Sequence, residues 1–241
     1  MTSINENTPN SAVVKADSAL RIYGVVLSIG VACSVAIVAT YEVTRPIIRA
    51  NRLEQRQQAI MNVVSGAETA VALLYVPEMG QFMVHEEDSE QEPTLFAGYS
   101  GAGQLTGFAI PARGMGYQDT IRLLYGYDPD RQTVMGIRIL ESRETPGLGD
   151  RIETDAAFLA NFEQLDVRVK DQNGEEVLEH SIEFVAAGEK TKPWQVDGIT
   201  GATISSEAVA NILEASTQTL IPRLRRCLGD LKMAPDRSAD R

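Results

Sequence analysis

The chain has 241 residues, 44% of them hydrophobic, and a formal net charge of −11. That length suits one globular domain plus a membrane segment, and an acidic chain with no concentrated basic face offers nothing to nucleic acid, so no nucleic-acid partner is expected. With two cysteines, two histidines and no CxxC or HExxH spacing, a protein-held zinc or iron–sulfur centre is not expected, and redox chemistry would require an organic cofactor.

Residues 1–20 read as a polar tail rich in Ser, Asn and Thr. From Ile22 to Tyr41 the chain is uncharged, and as a helix this run would span about 30 Å, the thickness of a bilayer core. A transmembrane anchor is therefore assigned to residues 21–42. Tyr23 and Tyr41 sit where interfacial aromatics belong, and Gly24, Gly30, Ala32, Ser34 and Ala36 would let a neighbouring helix approach. A cleaved signal peptide is the alternative. The length of the apolar run and the lack of a following A-x-A site favour the anchor. Four arginines (Arg45, Arg49, Arg52, Arg56) follow the span, whereas only Lys15 and Arg21 precede it. A count of basic residues thus places the C-terminal part in the cytoplasm.

Residues 43–64 carry periodic apolar positions (Ile48, Leu53, Ile60, Val64) and read as a stalk helix leading into a domain over 65–226. The run EEDSEQE at 86–92 reads as a solvated loop. Between Leu95 and Leu140 the pattern turns to strands: 106–112, 119–127 and 133–140, the last two forming a hairpin about Asp128-Pro129-Asp130. A short helix follows over 155–162. Strands at 165–169 and 177–185 flank a Gln-Asn-Gly turn, and a helix over 205–220 presents Val209, Ile212, Leu213 and Leu220 on one face. The C-terminal tail is assigned to 227–241. The fold class is α+β, with a mainly antiparallel sheet and flanking helices after one transmembrane helix. No GxGxxG follows a strand, so a Rossmann site is not expected.

The segment 197–206, DGITGATISS, stands directly before the amphipathic helix. Gly198, Gly201 and Ala202 leave room for foreign atoms, and a helix start offers free N–H groups and the positive end of a dipole, a setting suited to phosphate. From the residues alone, the favoured reading is that Thr203 or Ser205 merely caps the helix.

The string DGITGAT resembles the D-x-x-S/T-G-A-T signature of the FMN-binding domain family, whose last threonine is esterified by the FMN phosphate, with FAD as donor and a flavin transferase as catalyst. On this resemblance Asp197, Gly198, Thr200, Gly201 and Ala202 bind the cofactor and Thr203 is the covalent attachment point. A second string, ETPGLGD at 144–150, is similar to the loop that packs beside the flavin in the same family, and adds Glu144, Thr145, Gly147 and Leu148. Pro146 fixes a backbone angle, and Gly147 and Gly149 would allow close approach to a flat ring.

Over roughly residues 20 to 225 the chain resembles the G subunits of the Rnf electron-transport complexes. At 114–128, Gln118-Asp119 stands where that family usually has Ser-Gly, which leaves Tyr117 without an assigned role. The resemblance implies an electron-transfer subunit with covalent FMN in an ion-translocating ferredoxin:NAD oxidoreductase, not catalytic alone. Its partners would be other membrane and peripheral subunits and a flavin transferase for maturation. It further implies a single-pass protein of the bacterial inner membrane with its FMN domain on the periplasmic side, against the basic-residue count, and the periplasmic side is the expected one. Trp194 would stack near the flavin or serve the core. Lys190 and Lys192 could pair with the phosphate, but neither is assigned that role. His85 and His180 read as surface or strand residues. Two alternatives stand beside this reading: the C subunit of the Na⁺-translocating NADH:quinone oxidoreductase, and a membrane-anchored assembly or sensory module whose threonine is never flavinylated.

Overall fold

The computed structural model describes residues 11–85 and 92–232. The expected loop at 86–92, save Glu92, and the ends of both expected tails lie outside the described residues. A single helix α1 runs from Ser11 to Val63, so the stretch expected to be a polar tail is helical from Ser11 onward, and anchor and stalk are one element. Its segment Arg21–Ile48 is long and apolar enough to cross a membrane, and none of it is buried.

The chain forms two compact units, residues 1–54 and 55–241. In the second, seven strands make one antiparallel sheet: β1 (Thr69–Val76), β2 (Gln81–Val84), β3 (Leu95–Tyr99), β4 (Leu105–Met115), β5 (Thr120–Asp128), β6 (Thr133–Glu141) and β7 (Leu165–Asp166), in the order β2-β1-β3-β4-β5-β6-β7. Alternation fixes the two faces. Ile121, Leu123, Tyr125 and Tyr127 of β5 point to the main core. There they meet α3 (Thr203–Leu231) through Val209, Leu213, Ile221 and Leu224. On the opposite face Phe96, Ala109 and Leu124 are covered by Ala59, Ile60, Val63 and Val64 from the end of α1. Gly126 is required here, because a Cβ would strike the Val63 carbonyl.

The β5–β6 hairpin forms as expected, with Asp128 accepting the Asp130 and Arg131 amides in the turn. The short helix also forms as α2 (Ala156–Ala160), N-capped by Asp155, whose carboxylate accepts from the Ala157 and Phe158 amides. Other elements differ from expectation. The strand expected at 165–169 breaks after Asp166, where the Asp166 carboxylate takes the Arg168 amide and guanidinium and turns the chain. The strand expected at 177–185 is likewise split. The pieces are β8 (Val169–Gln172) and β9 (Glu175–Leu178), a hairpin about Asn173-Gly174, and β10 (Glu183–Val185), which pairs in parallel with β11 (Gln195–Asp197). Helix α3 begins two residues before the expected start and ends at Leu231, not Leu220. Pro222 removes an amide but does not end the helix, because Leu224, Cys227 and Leu231 continue the buried stripe. At its far end the Tyr99 hydroxyl donates to the Leu231 carbonyl at 3.1 Å. Residues 227–231, expected in the tail, thus belong to the domain.

Candidate functional site

Thr203 is the first residue of α3 and is exposed. Positive φ at Gly201 (86°) lets the chain turn sharply into the helix. Ala202 occupies the N-cap position with no side-chain cap. Neither threonine nor serine is a cap here: Ser205 donates to Glu144, and Ser206 donates to the Ala202 carbonyl at 2.9 Å. Among the described residues the Thr203 hydroxyl has no hydrogen-bond partner, so it is uncommitted. The amides of residues 203–205 begin the helix without a carbonyl four residues back, which favours an anion at this spot.

Beside Thr203 opens a cavity of about 320 Å³, lined by Tyr117, Glu144, Thr145, Leu148 and Gly149 on one side and by Gly201–Ser205 on the other. The two sequence strings are thereby brought together from 53 positions apart, counting Asp150 to Thr203. The volume falls within the range of small-molecule sites. Its rim is apolar and exposed: Leu148 and Ile204 are each 53% exposed and Tyr117 65%. Exposed apolar side chains grouped about an open hydroxyl and a helix start fit a flat, apolar ring carrying a phosphate. The residues lining the cavity thus fit the chemistry of FMN.

Of the expected cofactor residues, Glu144, Thr145, Leu148, Gly201, Ala202 and Thr203 line this cavity; Gly147, Asp197, Gly198 and Thr200 do not. Each of the four has another role. Gly147 sits at φ 77°, where a tight turn needs glycine. The Asp197 carboxylate accepts the Gly188 amide at 2.8 Å and the Glu189 amide at 3.2 Å, fastening the loop beside β11. Gly198 makes room for the Phe184 ring, which a Cβ would meet at 2.7 Å. The Thr200 carbonyl accepts from Arg151 at 3.0 Å. Gly149, expected to admit a flat ring, instead makes room for a side chain: its Cβ would lie 2.8 Å from both the Glu144 carboxylate and the Ser205 hydroxyl.

Lys190 is not free for a phosphate. Its Nζ donates to Asn161 Oδ1 at 3.0 Å, and burial pushes its pKa down, against the opposing pull of Asp197. Lys192 lies 6.0 Å from the Trp194 ring centroid. Trp194 stacks on His180, centroids 3.7 Å apart and planes 14° from parallel, so it lines neither the cavity nor the core. The cation that does reach the acceptor loop is Arg151, held by Asp155 at 2.7 Å. Tyr117, Ile204 and Ser205 are cavity residues that the sequence did not assign to the cofactor; Ser205 was named there only as a possible helix cap.

The FMN-binding domain family model matches residues 116–218. The chain is 29% identical over 183 residues to the G subunit of an ion-translocating oxidoreductase complex from Methanosarcina acetivorans, covering 73% of this chain and 81% of that protein. It is 35% identical over 112 residues to the G subunit of the Pasteurella multocida complex of the same name, covering 46% of this chain and 49% of that one. The match thus spans about half the length of the bacterial relative. Among solved structures it is similar to NqrC of Shewanella oneidensis (TM-score 0.58, 18% identity, 76% of this chain and 99% of that one). It is also similar to the C subunit of the Na⁺-translocating NADH-quinone reductase of Parabacteroides distasonis (TM-score 0.56, 22% identity, 75% and 96%). At these identities the structural likeness establishes the shared fold.

Proposed function

From an FMN-binding domain over residues 116–218, we propose that this chain carries FMN as a phosphoester on Thr203 and passes electrons within a membrane-bound, ion-translocating ferredoxin:NAD oxidoreductase. The observation that carries the reading is the uncommitted, exposed Thr203 hydroxyl at the mouth of an apolar cavity, at a helix start. In the maturation step a flavin transferase uses FAD. The Thr203 oxygen forms a bond to the FMN phosphorus, the pyrophosphate bond breaks, AMP leaves, and the hydroxyl proton is lost. Bound FMN supplies one- and two-electron redox chemistry. The chain's own contribution is to hold it: Leu148, Ile204 and Tyr117 form an apolar rim, the helix start favours the phosphate, and Arg151 steadies the loop through the Thr200 carbonyl.

The anchor within α1 would place the chain in the inner membrane among partner subunits, with the flavin domain on the periplasmic side. No acidic or basic residue interrupts Ile22–Tyr41, so ion translocation is assigned to the partners. A reporter fused to the C-terminus, active only in the periplasm, should be active; a silent reporter overturns the placement. The similarity to the NADH-quinone reductase C subunits supports a second reading, the same cofactor in that complex, and identification of the co-purified subunits separates the two.

The test of attachment is co-expression with the transferase. Denaturing gels should show flavin fluorescence, and the Thr203 peptide should gain the mass of FMN less one water. A Thr203→Ala chain should be dark. A fluorescent alanine variant, or a wild-type peptide of unmodified mass, refutes the assignment.

A further inference from the structure

Glu144 is a buried carboxylate, 5% exposed, in the wall of the cavity beside Thr203. One oxygen accepts from the Ser205 hydroxyl at 2.5 Å and the other from the Gln118 amide at 3.2 Å. None of the ion pairs among the described residues includes it; the neighbouring Arg143 pairs with Asp119 instead. The space it fills is kept clear by two glycines from different loops. A Cβ on Gly149 would lie 2.8 Å from one carboxylate oxygen, and a Cβ on Gly116 would collide with the other. Two glycines, a hydroxyl and an amide thus converge on one carboxylate that no cation offsets.

We propose that Glu144 is a fixed negative charge in the cavity wall and that it holds the reduction potential of a flavin attached at Thr203 low; this rests on the flavin reading above. An electron entering the cavity adds negative charge near an existing one, and repulsion in a partly desolvated site exceeds that in water. The two hydrogen bonds partly offset the charge without neutralising it. Glu144 therefore acts as a positioning and electrostatic residue: it ties the 116–119 turn and the 144–149 loop to the first turn of α3, and it biases the redox equilibrium in the space between them.

Redox titration of the flavin-loaded full chain in detergent decides the matter. Glu144→Gln keeps the shape and an acceptor for the Gln118 amide while removing the charge. It should raise the reduced-to-oxidised ratio at a given poise about tenfold, a shift of about 59 mV for a one-electron couple. Ser205→Ala leaves the charge but removes one of its two donors, and should move the midpoint the opposite way. Reduced-to-oxidised ratios within twofold of wild type at the same poise in both variants overturn the proposal. If Glu144→Gln takes up no flavin, the direction of the Ser205→Ala shift decides alone. If neither variant loads while wild type does, the residue's role is structural and the proposal fails. A wild-type chain that takes up no flavin defeats the functional reading itself, before any variant is titrated.

Discussion

At the residue scale the site separates glycines that serve conformation from glycines that serve space. Gly147 has positive φ and open room where a Cβ would be, whereas Gly149 faces the Glu144 and Ser205 oxygens. Gly149→Ala should cost about 1–3 kcal/mol by overpacking and also reduce flavin loading. Gly147→Ala should cost about 1–2 kcal/mol through backbone strain and leave loading closer to wild type. Urea denaturation of the unmodified proteins and fluorescence per mole of protein measure the two effects. Asp155 offers a pH test. The Phe158 amide first, then the Arg151 guanidinium, hold its carboxyl below the usual carboxylate range. A carboxyl lowered on folding contributes stability that is present above its unfolded pKa, near 4, and is lost as pH falls through its folded value. Asp155→Asn should therefore flatten the acid limb of the stability curve below about pH 4, and Asp155→Ala should cost about 1 kcal/mol at neutral pH by loss of the cap. The open place of Thr203 at a helix start was legible because its motif is local in sequence. The glycine roles were not, since the side chains they accommodate come from other loops.

At the element scale, legibility followed the length of the pattern. β4, β5 and β6 run over eleven, nine and nine residues, long enough for runs of strand-forming residues bounded by turns to stand out. β10 and β11 have three residues each, below any periodic window, and their parallel pairing is imposed by contacts made elsewhere. β1 and β2 escaped notice because β1 fully buries only Val71 and Leu73 and β2 is four residues long. The end of α1 is an element whose part in the domain the sequence did not disclose. Ile60, Val63 and Val64 are at most 3% exposed, and burying three such side chains stabilises by about 5 kcal/mol. A chain beginning at residue 55 should keep the full melting temperature of the domain, while one beginning at residue 66 should melt about 10 °C lower or more. Equal melting temperatures would show that the sheet's second face does not need its helical cover.

At the scale of the whole molecule, the sequence divided the chain into anchor and domain by hydropathy alone, which is a long-range average and survives local errors. It did not reveal that the helix continues from Ser11 to Val63, since the polar composition near the N-terminus reads as a tail regardless of backbone state. The anchor predicts that the full chain stays with membranes after an alkaline wash, whereas a chain beginning at residue 55 is recovered in the aqueous fraction. Recovery of a chain shortened at its N-terminus in that fraction would point to a cleaved leader.

Thr203 opens a helix of 29 residues, a rod about 43 Å long, whose opposite tip is pinned by Tyr99. A flavin on Thr203 would hang from that rod by its ribityl phosphate, so the cavity wall at Tyr117, Leu148 and Ile204, and not the bond, would have to hold the ring still. Fluorescence anisotropy that decays with the tumbling of the entire domain would show the ring seated there; a faster component would show it swinging on its chain.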